Sequence, residues 1–265
     1  MSGRRLLALV ALAIAVSACG GSNGRPGSGN GVTLTVLAAA SLNQAFPRIA
    51  EAFGRRDPSV TVRFSFAGTD SLAAQIARGA PADVFAGAGM SYGDQLVKDH
   101  LIETPATFCS NGLVLVLPQA NPADIGSLEE LTRPGVKLVI GGESVPVGTY
   151  TRTVLANLDG IYGEGYSRRA LANVVSSEEN VEAVLAKVRL GEADAGFVYV
   201  TDARAAGPAV RAIAVPAEAQ AVASYPIAVV KASVHPREAQ RFVDFVLASE
   251  GQSILREAGF GPPPS

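Results

Sequence analysis

The chain has 265 residues, with 22 lysines and arginines against 24 aspartates and glutamates, 48% hydrophobic residues and no tryptophan. This balance, without a basic tract, excludes nucleic acid as the partner. The core must be built largely from Ala, Val and Leu, and the length suits one large domain or two small ones.

Arg4 and Arg5 precede an unbroken apolar run over 6–16, and Val16-Ser17-Ala18-Cys19 follows. A charged start, a run of that length and small residues before a cut are the parts of a secretory signal. A membrane-spanning helix needs about 20 apolar residues, so the run is too short to span and stay. The last four residues resemble a bacterial lipobox, which implies cleavage before Cys19 and acylation of that cysteine. Residues 1–18 are expected to be a lipoprotein signal peptide and 19–31 a flexible tether, because GGSNGRPGSGNG has almost nothing to bury. The folded body would then sit on the extracytoplasmic face of the cell membrane, held by lipid. Processing leaves 20 basic and 24 acidic residues, a net charge of −4. It also leaves Cys109 without a partner, which excludes a disulfide framework. Cys109 reads as a small buried hydrophobe.

Short apolar strands then alternate with amphipathic helices. Residues 33–38 read as a strand, and 42–53 as a helix with Leu42, Phe46, Ile49 and Phe53 on one face. A strand over 60–66, a helix over 71–78 stopped by Gly79 and Pro81, a strand over 84–86 and a helix over 92–98 follow. Strands are predicted over 113–117, 137–140, 173–175, 195–199, 210–213 and 225–230. Helices are predicted over 149–158, 166–171, 181–189, 237–247 and 250–257. Repeated β-α-β order predicts mostly parallel sheets covered by helices. The pattern suits two successive α/β lobes, with the last strand and helices returning to the first. Lobe 1 is expected over 32–109 and 222–265 and lobe 2 over 110–221, with a ligand cleft between them and two crossings. Hinged proteins of this kind close around ligands.

The chemistry stands at the helix starts. Ser41, Gly68-Thr69-Asp70, Pro146-Val147-Gly148 and residues 177–180 each precede a predicted helix. A helix start offers unpaired N–H groups and the positive end of a dipole. In α/β sheets such starts gather at the carboxyl ends of strands, where ligands bind. Several of them facing one cleft would hold an anion without a charged side chain. Each alone is an ordinary cap worth about 1 kcal/mol. The remaining candidates read as structural. His100 and His235 lie far apart in surface-like contexts, so neither a metal site nor a catalytic triad is expected. Glu178-Glu179 reads as first-turn charge, Asp83 as a strand-end cap and Arg152 as a surface residue.

An ordered set of strings resembles the molybdate-binding proteins of bacterial ABC importers over about residues 34–260. The strings are Ala38-Ala39-Ala40-Ser41-Leu42, Phe66-Ala67-Gly68-Thr69 and Gly79-Ala80-Pro81-Ala82-Asp83-Val84-Phe85. Val145-Pro146-Val147-Gly148-Thr149-Tyr150, Asn180-Val181, Gly196-Phe197-Val198-Tyr199, Tyr225-Pro226-Ile227-Ala228-Val229 and Ala258-Gly259-Phe260 follow in order. The resemblance implies a two-lobe, type II periplasmic-binding-protein fold of class α/β and a binding protein rather than an enzyme. It implies a monomer with no cofactor whose ligand is molybdate or tungstate, with an ABC permease and a separate ATPase as partners. No P-loop string is present in this chain.

Carried over by position, Ser41 and Thr69 should each give a hydroxyl and an N–H, with Thr69 standing where many relatives have serine. Val147 and Val181 should give backbone N–H groups, and Tyr199 its phenol. Such a donor-only site suits a fully deprotonated tetrahedral dianion, whereas a protonated phosphate needs an acceptor. Sulfate must be excluded by size. Burying no lysine or arginine avoids a desolvation cost of several kcal/mol per ion. Sulfate, another oxyanion or an Fe(III)–anion complex stay open as alternative ligands. A lipid-anchored hydrolase lacks a histidine base, and an adhesion lipoprotein would not need donor-rich helix starts.

Overall fold

The computed structural model describes residues 31–264. The expected signal peptide, the acylated Cys19 and all of the tether but Gly31 lie outside the described residues.

In chain order the elements are β1 (Val32–Ala39), α1 (Ala45–Arg56), β2 (Val60–Ala67), α2 (Thr69–Ala77), β3 (Val84–Ala86), α3 (Met90–Lys98) and β4 (Ala106–Asn111). Then come β5 (Leu113–Pro118), β6 (Leu138–Gly141), α4 (Pro146–Tyr162), α5 (Tyr166–Leu171), β7 (Val174–Glu178), α6 (Val181–Arg189) and β8 (Ala195–Tyr199). The chain finishes with α7 (Val200–Ala206), β9 (Val210–Ala214), β10 (Ala223–Val229), α8 (Pro236–Leu247) and α9 (Ser249–Ala258).

Two five-stranded sheets result, in the orders β2-β1-β3-β10-β4 and β7-β6-β8-β5-β9. The late strand β10 does return to the first sheet, between β3 and β4. In each sheet four of the five strands run the same way, as expected, and one is reversed. β10 runs antiparallel to both its neighbours, and so does β5 to β8 and β9. The reversal follows from the crossings. β5 and β10 are the strands that follow the crossings from the other lobe, with no α-helix before them to carry the chain back.

Each sheet is buried on both faces. In β1, Val36 and Ala38 pack with Phe46, Ile49 and Phe242, while Leu37 points the other way toward Leu72, Ile76 and Phe85. Aromatic rings lock the first face, with Phe46, Phe64, Phe108 and Phe242 meeting at centroid distances of 5.8–6.4 Å. Cys109 is fully buried in β4, and burial pushes its thiol well above the ordinary range.

Proline chemistry moved two helix starts. α1 begins at Ala45, not Leu42, so that Pro47 falls in the first turn where its missing N–H costs nothing. Ala40–Leu42 forms a separate 3-10 turn. α4 begins at Pro146, three residues before the predicted start, with proline at the first helical position. The strand β4 was not predicted because Ala-Thr-Phe-Cys-Ser-Asn lacks apolar alternation. Ser110 and Asn111, expected in lobe 2, pair with Ser224 and Ala223 of β10, so the first sheet keeps them.

The chain crosses between the sheets at Gly112 and again over 215–222. Gln220, on the second crossing, grips the first: the Leu113 N–H donates to its Oε1 at 2.8 Å, and its Nε2 donates to the Leu113 carbonyl at 3.0 Å. At the cleft rim the Tyr92 hydroxyl donates to the Ser144 carbonyl at 2.6 Å, and the Ser144 hydroxyl donates to Asp70 at 3.0 Å. The two lobes therefore touch across the cleft.

Candidate functional site

Three helices of at least nine residues begin at the same place. α2 starts at Thr69 behind Gly68, α4 starts at Pro146 behind Val145, and α6 starts at Val181 behind Asn180. The Asn180 side chain caps α6 by accepting the Ala183 N–H at 3.0 Å, which leaves the Val181 N–H outside the capping bond. In α4 the first backbone bond returning from the helix is Thr149 N–H to Val145, so Val147 and Gly148 carry N–H groups with no partner inside the helix. Gly148 is required there. A Cβ on it would lie 2.0 Å from the Gly142 carbonyl oxygen and 2.3 Å from that of Gly141. Only glycine lets this helix start press against the end of β6.

The three starts meet the turn Ala40–Leu42 around one small cavity of about 20 Å³. Ser41, Thr69, Val147, Val181 and Tyr199, all five residues singled out from the sequence, line it. Ala39, Gly68, Ala88, Val145 and Asn180 are among the others, and the lining contains no charged residue. Pockets for drug-sized ligands measure about 300–1,000 Å³, so a cavity this small admits only a ligand of a few heavy atoms. Gly68 shows how closely the lobes approach at its edge, since a Cβ on it would lie 2.4 Å from the carbonyl oxygen of Glu179 in the other lobe.

The polar side chains differ in their partners. Thr69 Oγ1 accepts the Ala88 N–H at 2.9 Å. Ser41 Oγ and Tyr225 Oη lie 2.8 Å apart, both buried. The Tyr199 hydroxyl is buried and makes no hydrogen bond of good geometry, although the Tyr225 hydroxyl lies near it. Burial keeps this phenol protonated well above the usual tyrosine range, and the neighbouring Tyr225, Tyr150 and Asp202 reinforce the effect. An unpaired buried donor costs about 1–3 kcal/mol, so a wall that retains one is suited to an acceptor brought from outside.

Asp202 lies directly behind. It is fully buried at the third position of α7, where its carboxylate accepts the Tyr199 N–H at 3.0 Å. Burial holds its carboxyl well above the ordinary range, the nearby Glu182 charge adds to this, and the Tyr199 N–H opposes it. Glu182 is itself raised by burial, against the opposing pull of Asn43 across the cleft. Asp202, Tyr225 and Ala88 went unassigned in the sequence. The only signal for Asp202 was an acidic residue three positions after a strand end, and Tyr225 stood in a matched string without a role.

The residues read as structural are placed as follows. Asp83 accepts the Thr35 N–H at 2.7 Å and the Ser233 hydroxyl at 2.5 Å. Glu178 ends β7 rather than starting a helix, and pairs with Lys187 of α6 at 2.9 Å. Arg152 is half-buried, not a surface residue, and donates to the Gly141 and Gly148 carbonyls at 3.1 and 3.0 Å just behind the cavity wall. Among the described residues no cluster of three or more histidine, cysteine or acidic side chains could hold a metal ion. No described helix is long and apolar enough to cross a membrane.

Residues 34–261 match the family of bacterial extracellular solute-binding proteins. This chain is a bacterial extracellular solute-binding protein. The molybdate-binding protein ModA of Mycobacterium tuberculosis is 41% identical over 252 residues, covering 93% of this solute-binding protein and 92% of the relative. Among solved structures, the periplasmic molybdate-binding protein of Azotobacter vinelandii superposes with a TM-score of 0.75 at 20% identity, over 87% of this chain and all of that one. The sulfate-binding protein SubI of Mycobacterium tuberculosis gives 0.77 at 20% identity over 87% of each chain. These two establish the type II two-lobe fold, and that one fold carries proteins named for different oxyanions. Members of this family bind a solute rather than transform it.

Proposed function

We propose that this solute-binding protein captures molybdate or tungstate outside the cell membrane and delivers it to an ABC permease driven by a separate ATPase subunit. The buried Tyr199 hydroxyl, unpartnered in the wall of a small cavity without charged lining, carries this reading. The ligand's oxygens accept from the hydroxyls of Ser41, Thr69 and Tyr199 and from backbone N–H groups of Ser41, Thr69, Val147 and Val181. Three helix dipoles balance its charge. The likeness to ModA of Mycobacterium tuberculosis supports molybdate over sulfate.

The protein is anchored by lipid on Cys19 after removal of residues 1–18, moves on the tether 19–31 and works as a monomer. The lobe limits read from the sequence, 32–109 with 222–265 and 110–221, serve this reading with the first boundary moved to Gly112. Calorimetric titration with molybdate, tungstate, sulfate and monohydrogen phosphate tests it. The first two should bind far more tightly, and ligand at 100 times its dissociation constant should add about 2.7 kcal/mol of stability. Binding of sulfate in preference to both metal oxyanions, or no binding at all, refutes it.

A further inference from the structure

Two hydroxyls share the cavity with Tyr199, and each meets a second group of the protein. For Thr69 the direction is fixed: the Ala88 N–H can only donate, so Thr69 Oγ1 accepts and its own proton is left for another acceptor. For Ser41 the direction is open, because either it or Tyr225 can donate across their 2.8 Å contact. A fully deprotonated oxyanion closes the choice. It accepts only, so Ser41 must give its proton to the ligand, and Tyr225 must then give its proton to Ser41.

We infer that Tyr225 is a positioning and specificity-determining residue, which holds Ser41 as a donor toward the cavity and thereby selects fully deprotonated oxyanions over protonated ones. The inference rests on the oxyanion reading above. Tyr225 does not line the cavity. It lies in β10, fully buried, with its ring edge-on to Phe108, Tyr199 and Phe260 at 6.1, 6.1 and 5.5 Å. Three aromatic rings thus pack against it. Burial pushes its hydroxyl well above the usual tyrosine range, so the proton stays on the phenol.

Hydrogen bonds in a chain strengthen one another, so a Ser41 that accepts from Tyr225 is also a better donor to the ligand. A monohydrogen oxyanion needs an acceptor in the wall. For Ser41 or Thr69 to supply it, the hydroxyl would have to turn its own proton away from the ligand, toward a side already occupied by a donor. A buried proton left unpaired is costly.

The test is a double-mutant cycle for molybdate binding, read by calorimetry on the purified protein, with Tyr225→Phe, Ser41→Ala and the pair. Monohydrogen arsenate serves as the second probe. Tyr225→Phe should weaken molybdate about tenfold and weaken arsenate less or strengthen it, so that the ratio of the two affinities falls. In the Ser41→Ala background the same change should cost molybdate nothing further. An equal loss with and without Ser41, or an unchanged affinity ratio, would show a merely structural ring and overturn the inference. Wild-type affinity in Tyr225→Phe would overturn it too, while the oxyanion reading stands. Failure of the unmodified protein to bind any oxyanion would instead remove that reading and the inference with it. Should Tyr225→Phe not fold, a ring-fluorinated tyrosine at 225 keeps the shape and makes a stronger donor. Tighter molybdate binding is then expected, and weaker binding overturns the assignment.

Discussion

Tyr199→Phe removes one oxygen whose effects on stability and on binding should have opposite signs. Without ligand the hydroxyl is buried and unpaired, and the desolvation penalty of such a group is about 1–3 kcal/mol. Its removal should leave the ligand-free protein as stable as before or more so, because phenylalanine keeps the ring and its packing against Tyr225 at 6.1 Å. With an oxyanion bound, the same hydroxyl donates to a charged acceptor, worth about 1.5–3 kcal/mol. The dissociation constant should therefore rise roughly 10- to 150-fold. Calorimetry with molybdate measures the second effect and thermal unfolding without ligand measures the first. Unchanged affinity would show that Tyr199 does not face the anion. A variant destabilised by more than about 1 kcal/mol would show that the hydroxyl has a structural partner after all.

Gly148→Ala should cost about 1–3 kcal/mol of stability and weaken molybdate binding as well, since relieving the approach to Gly141 and Gly142 must shift Val147 off the cavity wall. A wild-type melting temperature in this variant would contradict the close approach. Asp202→Asn probes pH. Burial raises the Asp202 carboxyl above its unfolded value, so it contributes stability that is full below the unfolded value and lost as pH rises through the folded one. Asparagine keeps the neutral form and an oxygen for the Tyr199 N–H. As pH rises above the unfolded carboxyl value of about 4, wild type should lose melting temperature that Asp202→Asn keeps. Parallel profiles would refute the buried, proton-retaining carboxyl.

The parts of the fold that were legible in the sequence are those set by local pattern. Leu113–Pro118 and Ala195–Tyr199 are continuous apolar runs and form interior strands of the second sheet. Val181–Arg189 has a capping asparagine and apolar spacing, and it begins and ends where these predict. The lining of the candidate cavity was legible because it is built on helix starts, which leave sequence marks. Local pattern could not set strand direction. β10 enters beside β3 only after a whole lobe intervenes, and nothing in Ala-Ser-Tyr-Pro-Ile-Ala-Val states its sense. Pro47 and Pro146 did state where their helices begin, but apolar spacing alone outweighed them in the prediction. The roles of Tyr225 and Asp202 depend on tertiary neighbours 184 and three positions away, Ser41 and Tyr199. No spacing rule reaches the first of these pairs.

The grip of Gln220 on Leu113 bears on how such a protein opens. Two separate strands between lobes would permit twisting and sliding as well as bending, and each mode would spread the open state over more conformations. One amide bonded to both the N–H and the carbonyl of the opposite strand ties the two crossings together at a point. Bending about that point can keep both bonds, whereas sliding one crossing past the other must break them. The tie therefore favours bending over sliding. Fewer modes of opening would leave less conformational entropy to surrender when the helix starts close on an anion.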